Sequence, residues 1–167
     1  SACVACVAGT YQPAAEQTAC LACDAGGWCG AGASAVTLCE EGTHRNATGG
    51  ATPSDCVACG AGHACGKGAV EATPCEAGTN SSDGVACVGC AAGAYQPSAA
   101  QSSCLPCPDG AYCLERSSDP IDCAPGFFAG TSGLSACVEC VAGEYQPSTA
   151  QASCLACPEG RYCLERS

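Results

Sequence analysis

The chain has no methionine, two phenylalanines, one tryptophan and a single lysine, Lys67. Leu, Ile, Val and Phe together number 19 in 167 residues. So few large apolar side chains cannot fill the interior that a globular domain of this length builds. No run approaches the ~20 apolar residues that span a bilayer, so no direct membrane insertion is expected in this segment. Basic residues are also scarce: five Lys and Arg stand against 16 Asp and Glu, a net charge of -11. Nucleic acid is therefore excluded as a partner, because phosphate binding needs a basic face and none can be assembled. The acidic residues are scattered and read as a solvated surface. Hydrolytic sites lack their parts. His44 and His63 are the only histidines, and both sit in Gly-rich coil. There is no G-x-S-x-G, H-E-x-x-H, phosphate-binding loop or Asp-rich calcium loop. No catalytic residue and no cofactor is assigned, and the chain is read as not an enzyme.

What is abundant is cysteine, 21 of it, and glycine, 22. The 47% hydrophobic content is mostly Ala and Cys. Glycine raises the entropy lost on ordering. Crosslinks restrict the unfolded chain, and a fold with a thin core then becomes tenable. The expected class is a small disulfide-rich fold: an elongated ladder of short loops and two-stranded ribbons with little regular secondary structure. Such cysteine density belongs to an oxidising compartment. Two N-glycosylation sequons agree with secretion, Asn46-Ala47-Thr48 and Asn80-Ser81-Ser82, each in a Gly/Ser/Thr-rich loop.

A phrase recurs: CVACVAGTYQP from Cys3, CVGCAAGAYQP from Cys87 and CVECVAGEYQP from Cys137. Residues 89–117 and 139–167 agree at 21 of 29 positions, with an offset of 50. A fixed period of this size signals a linear array. The copies are divided as 1–38, a divergent 39–86 that carries both sequons, 87–136 and 137–167. Both ends match interior positions of other copies, so the chain is expected to begin and stop mid-unit, as a piece of something longer.

A finer rule lies beneath. Ten cysteines have a glycine three positions on: Cys6, Cys23, Cys39, Cys59, Cys75, Cys90, Cys107, Cys123, Cys140 and Cys157. Glycine supplies the positive φ that a chain turning back from a disulfide needs. Two residues later the side chain is often aromatic: Tyr11, Tyr95, Tyr112, Phe128, Tyr145, Tyr162, and Trp28 in its short loop. A ring laid over a disulfide covers apolar area at little rotamer cost. His44 and Asn80 hold this slot mid-chain, and their loops are expected to pack less well. Pro13, Pro97 and Pro147 stiffen the turns. Ser98–Ser103 and Ser148–Ser153 are candidates for a helical turn, while Gly26–Ala35 and Gly60–Ala69 read as coil.

Spacing alone leaves the pairing open. In one scheme each glycine-marked cysteine bonds the next: Cys6–Cys20, Cys23–Cys29, Cys39–Cys56, Cys59–Cys65, Cys75–Cys87, Cys90–Cys104, Cys107–Cys113, Cys123–Cys137, Cys140–Cys154 and Cys157–Cys163. Cys3 is left over, to pair with a cysteine upstream of Ser1. A rival keeps Cys6–Cys20, Cys90–Cys104 and Cys140–Cys154 and crosses the rest. It pairs Cys23–Cys39 with Cys29–Cys56, Cys59–Cys75 with Cys65–Cys87, and Cys107–Cys123 with Cys113–Cys137. Each simple loop of about 15 residues is worth roughly 3 kcal/mol.

The stretches CAAGAYQPSAAQSSCLPCPDGAYC from Cys90 and CVAGEYQPSTAQASCLACPEGRYC from Cys140 resemble the ephrin-receptor-like cysteine-rich repeats of large surface proteins. More loosely, they resemble the cysteine-rich modules of tumour necrosis factor receptors. The resemblance covers nearly the whole chain and weakens from Cys39 to Cys75, where the Tyr is lost. It implies an extended ladder of disulfides outside the cell, and it favours the crossed pairing for part of the chain. It names no ligand.

Zinc is the main chemical rival. Cys3, Cys6, Cys20 and Cys23 have four-cysteine spacing, which Cys87–Cys107 and Cys137–Cys157 repeat. That reading strands Cys29, Cys39, Cys65, Cys75, Cys113 and Cys123 as thiols, so no metal is assigned. Thiol–disulfide catalysis has no basic neighbour to lower a thiol pKa. Two non-enzymatic classes remain. The first is a structural segment of a long secreted or surface-tethered protein, a rigid stalk or filament component such as a cell-wall fibre or flagellar surface hair. Its partners would be itself or other extracellular structural proteins, with glycans attached covalently. The second is a receptor-type module that binds a protein ligand. Near-identical copies favour the first, and no cluster of large apolar or arginine residues marks the second. Reductant should collapse the circular dichroism and fluorescence signature of the fold, while a chelator should leave it intact. Chelator-induced unfolding together with free thiols by mass spectrometry would establish the zinc reading instead.

Overall fold

The computed structural model describes residues 3–166. These form two compact units, residues up to Cys75 with Ser81–Cys87, and Glu76–Asn80 with Val88 onward. In the first unit β1 (Thr10–Tyr11) pairs with β2 (Leu21–Ala22), β3 (Gly27–Trp28) with β4 (Thr37–Leu38), β5 (Thr43–His44) with β6 (Val57–Ala58), and β7 (His63–Ala64) with β8 (Thr73–Pro74). A single 3-10 turn, Pro53–Asp55, precedes β6. In the second unit β9 (Thr79–Asn80) pairs with β10 (Val88–Gly89), β11 (Ala94–Tyr95) with β12 (Leu105–Pro106), and β13 (Ala111–Tyr112) with β14 (Ile121–Asp122). Its last two ribbons are β15 (Phe127–Phe128) with β16 (Val138–Glu139) and β17 (Glu144–Tyr145) with β18 (Leu155–Ala156). All nine ribbons are antiparallel and two residues deep. The structure is thus a small disulfide-rich fold with almost no helix.

The interior is sulfur. The buried apolar residues among those described are twelve half-cystines together with Ala111 and Ala129. The few aliphatic side chains stay outside: Leu21, Leu38, Val57, Val88, Leu105, Ile121, Val138 and Leu155 are all exposed. All eight lie opposite a residue across their ribbon, and all but Leu38, which faces Gly27, meet a side chain there, as in Tyr11 opposite Leu21, Phe128 opposite Val138 and Tyr145 opposite Leu155. Such cross-strand pairs contribute a few tenths of a kcal/mol and set the register.

Each disulfide ring with its glycine turn is one rung. Nine rungs close the turn with a hydrogen bond, as from the Thr10 amide to the Val7 carbonyl (3.1 Å). The turn glycine sits third, with φ of +87° at Gly9 and +82° at Gly126. Positive φ at that position is the mark of a type II turn. The same glycine then locks its rung to the next through the main chain. The Gly9 amide donates to the Cys29 carbonyl (2.8 Å), and the Gly9 carbonyl accepts from the Cys23 amide (2.9 Å). This pair recurs at every rung from Gly9 to Gly143, in both units. It uses no side chain, so rings of different length all obey it.

The glycines also touch the second rung along. A Cβ on Gly9 would sit 2.8 Å from the Gly49 carbonyl oxygen, and one on Gly126 would sit 2.6 Å from that of Arg166. Each of those carbonyls belongs to a second positive-φ residue, of which every rung has one. At Glu16, Ala100, Arg116, Ala150 and Arg166 that residue is not glycine. At Arg116, Ala150 and Arg166 its amide donates to an opening cysteine one rung back, as Ala150 does to the Cys123 carbonyl (2.9 Å).

Two local expectations need correction. Ser98–Ser103 and Ser148–Ser153 hold bends and no helical turn, because Ala100 and Ala150 take left-handed φ of 57° that interrupts any helix. Gly26–Ala35 and Gly60–Ala69 each contain a ribbon strand, since the glycine turn specifies a hairpin whatever follows it. The His44 and Asn80 loops form the same ribbons as the tyrosine loops, with Thr79 and Ser81 buried. The main-chain lock, indifferent to the side chain in the slot, accounts for that.

Gly110 has φ of +80° and faces the Ala150 carbonyl oxygen. Gly110→Ala should therefore lose about 2–4 kcal/mol, from left-handed strain and overpacking together. Ala150→Gly should gain about 0.5–1 kcal/mol by relieving the same strain at its own position. Denaturant midpoints under oxidising conditions check both.

Candidate functional site

The candidate site is the rung itself, repeated. The bonds present are Cys6–Cys20, Cys23–Cys29, Cys39–Cys56, Cys59–Cys65 and Cys75–Cys87 in the first unit. In the second they are Cys90–Cys104, Cys107–Cys113, Cys123–Cys137, Cys140–Cys154 and Cys157–Cys163. Each joins neighbours in sequence, so the crossed pairs that the family resemblance favours are absent. The glycine turn is the cause. It folds the chain back at once, and the next cysteine arrives across the ring with Cα separations of 5.4 to 6.3 Å. Cys3 is free and exposed.

Cys6 and Cys20, which a four-cysteine zinc site would need as separate thiolates, are bonded to each other, and Cys23 is bonded to Cys29. One other cluster has ligand geometry: His44 with Cys59 and Cys65, where the His44 Nδ1 lies 3.3 Å from the Cys59 Sγ. Those two sulfurs form a disulfide and offer no thiolate.

The aromatic slot works by cover. Tyr95 packs on the buried Cys107, Ala111 and Cys113 of the following rung. Tyr95 and Tyr145, each with a rung after it, are half-buried, whereas Tyr162 is 87% exposed. A ring in this slot is therefore covered by the next rung, not by its own.

Sequence reading gave the glutamine of Tyr-Gln-Pro no role. Gln96 and Gln146 are buried, and each spans its ring. Gln96 donates to the Ser103 carbonyl (2.7 Å) and accepts from the Ser98 amide (3.2 Å). Gln146 repeats this with Ser153 and Ser148, and Gln12 with Ala19 and Ala14. The signal was there, a polar residue repeated beside an aromatic one, but only the folded ring shows what it reaches.

In the ring of Cys39–Cys56 the glutamine slot holds Arg45. Its guanidinium donates to the Asp55 and Thr48 carbonyls, both at 3.2 Å, and lies 3.9 Å from the Asp55 carboxylate. Its Nε is buried without a partner. The Asp55 carboxylate accepts from the amides of Ala51 (2.8 Å) and Thr52 (2.9 Å), a capping arrangement for the 3-10 turn. Those two backbone bonds, more than Arg45, hold its pKa below the ordinary value of 3.8. Farther along, the Arg166 guanidinium is bonded to the Glu139 carboxylate, which lowers the pKa of Glu139 and raises that of Arg166. Arg166 also stacks over the Phe127 ring, 5.8 Å from its centroid.

Asn46 is exposed, and among the described residues its side chain has no hydrogen-bond partner. The Asn80 side chain is half-buried and donates to the Ser102 carbonyl (3.1 Å), with the Cys104 Sγ 3.2 Å from its Oδ1. Among the described residues, no helix is long and apolar enough to cross a membrane.

Repeated glycine-marked rungs, a sulfur interior and two-residue ribbons define a tandem cysteine-rich module of the extracellular, disulfide-bonded class. A family model described as tyrosine-protein kinase ephrin type A/B receptor-like matches residues 1–30, 78–123 and 126–165. The chain belongs to this ephrin-receptor-like cysteine-rich family, which is non-catalytic. The unmatched stretch lies where Tyr gives way to His44 and to Ala64 in the slot. No curated protein matches the chain.

The depressed pKa of Asp55 fixes the sign of a pH effect. Its folded value lies below its unfolded one, so its contribution is complete above pH 3.8 and is lost as pH falls through the lowered value. Hydrogen-exchange protection of the Ala51 and Thr52 amides should hold from pH 7 down to about 4 and fall below that. Asp55→Asn should weaken that protection at neutral pH.

Proposed function

We propose that the chain is a structural segment of a long secreted or surface-tethered protein, a disulfide-stapled stalk or filament component. The observation that carries this is the rung-to-rung lock. The same pair of main-chain bonds recurs at nine successive glycine turns, from Gly9 to Gly143, whatever side chains surround them. A device that ignores side-chain identity suits mechanical continuity, in which every rung does the same work. A ligand site would require one rung to differ. Its partners would be further copies of itself or other extracellular structural proteins, assembled into a cell-wall fibre or a flagellar surface hair. The acidic surface keeps the stalk soluble.

One observation favours a second reading, a receptor-type module for a protein ligand. Leu21, Leu105, Val138 and Leu155 present exposed aliphatic surface on the second strands of their ribbons, although the sequence shows no cluster of large apolar residues. Apolar side chains scattered singly are normal on protein surfaces, so this reading stands second.

In single-molecule pulling, the oxidised chain should yield only the short connectors between rings, and reductant should release the remaining length. Antibodies against the chain, viewed by electron microscopy, should decorate extracellular fibres or stalks. Diffuse cell-surface labelling together with saturable capture of one soluble protein would favour the receptor reading.

A further inference from the structure

The stalk reading routes the chain through an oxidising secretory compartment, and on that basis the two sequons are unequal. Aligning the rungs from their opening cysteines shows why. The slots of Tyr95-Gln96-Pro97 hold His44-Arg45-Asn46 in one divergent rung and Asn80-Ser81-Ser82 in another. Asn46 thus stands where Pro13, Pro97 and Pro147 stand, and all four residues are exposed. Asn80 stands in the aromatic slot, which the following rung covers.

The ring around Asn46 is also built differently. Its cysteines are 17 residues apart, against 14 in four other rings. The added length follows Gly49 and contains the 3-10 turn capped by Asp55. Arg45 does the glutamine's work across this larger ring and also holds the Thr48 carbonyl. The sequon lies on a braced loop with its Asn and Thr exposed and, among the described residues, no side-chain hydrogen bond to either.

Around Asn80 the arrangement is closed. Its Nδ2 donates to Ser102 and its Oδ1 meets Cys104, both on the next rung. Ser81, in the glutamine slot, is 1% exposed, and its hydroxyl accepts from the Gly84 amide (3.2 Å). A sugar on Nδ2 would have to emerge between two rungs.

We propose that Asn46 carries the N-linked glycan and that Asn80 is an unmodified brace that takes the place of an aromatic ring. In the transfer, the Asn46 amide nitrogen bonds to the anomeric carbon of an oligosaccharide carried on a polyprenyl diphosphate. The bond from that carbon to the diphosphate oxygen breaks, the diphosphate leaves with the electron pair, and the amide proton passes to a base of the transferase.

The test is the protein secreted by a eukaryotic host, treated with peptide N-glycosidase in 18O water and mapped by mass spectrometry. The expected result is 18O-labelled aspartate at position 46 and unmodified Asn80. Asn46→Gln and Thr48→Ala should each abolish the glycan mass, whereas Asn80→Gln should leave it. Asn80→Tyr, which restores the residue used in the other rungs, guards against misfolding of Asn80→Gln and should keep the wild-type glycan mass. Label at Asn80, or none at Asn46 in secreted and fully oxidised protein, would overturn the assignment while leaving the extracellular reading intact. Retention inside the cell with free thiols would instead overturn the extracellular reading on which the proposal rests.

Discussion

Sulfur–sulfur bonds do in this chain what buried leucines and valines do in most domains. The buried apolar positions among the described residues are half-cystines and two alanines. Ring closure limits the freedom of the unfolded chain, so the ordered state needs little hydrophobic burial to prevail. The other features follow from that constraint. Strands need to be only two residues long, because a disulfide flanks each ribbon. Aliphatic side chains can remain outside, because the fold does not depend on burying them.

Rings alone would make a string of beads. What joins them is backbone placed against backbone. The turn glycine donates to one carbonyl, accepts from one amide, and has no Cβ to hold off the second rung along. Hydrogen bonds of this kind are each worth about 1 kcal/mol. Their weight here comes from repetition and from their indifference to ring length. That indifference lets the six-residue spacing of Cys59–Cys65 sit beside the 17-residue spacing of Cys39–Cys56. It also leaves the divergent rungs free to vary their side chains, and the sequons appear in two of those rungs.

Much of this architecture was legible in the residues. The scarcity of large aliphatics, the cysteine density and the Cys-x2-Gly rule imply a ladder of short loops and two-stranded ribbons, and each marked glycine does sit in a turn with positive φ. The reading failed where a residue's role depends on another rung. Gln96 looks like a surface residue until its ring closes around it. Ala150 looks like a helix former until its contacts with neighbouring rungs, through Cys123 and Gly110, are seen to go with left-handed φ.

The sequence by itself determined the period, the number of turns and the reliance on sulfur, because these depend on spacing along one chain. Only the tertiary structure decided how rungs meet. It revealed the contact that forbids a Cβ on turn glycines such as Gly9, Gly110 and Gly126, the second positive-φ residue that supplies it, and the difference between an open Asn46 and a half-buried, hydrogen-bonded Asn80. Those are relations between segments 20 to 40 residues apart. Linear spacing carries no record of which carbonyl will lie beneath which glycine.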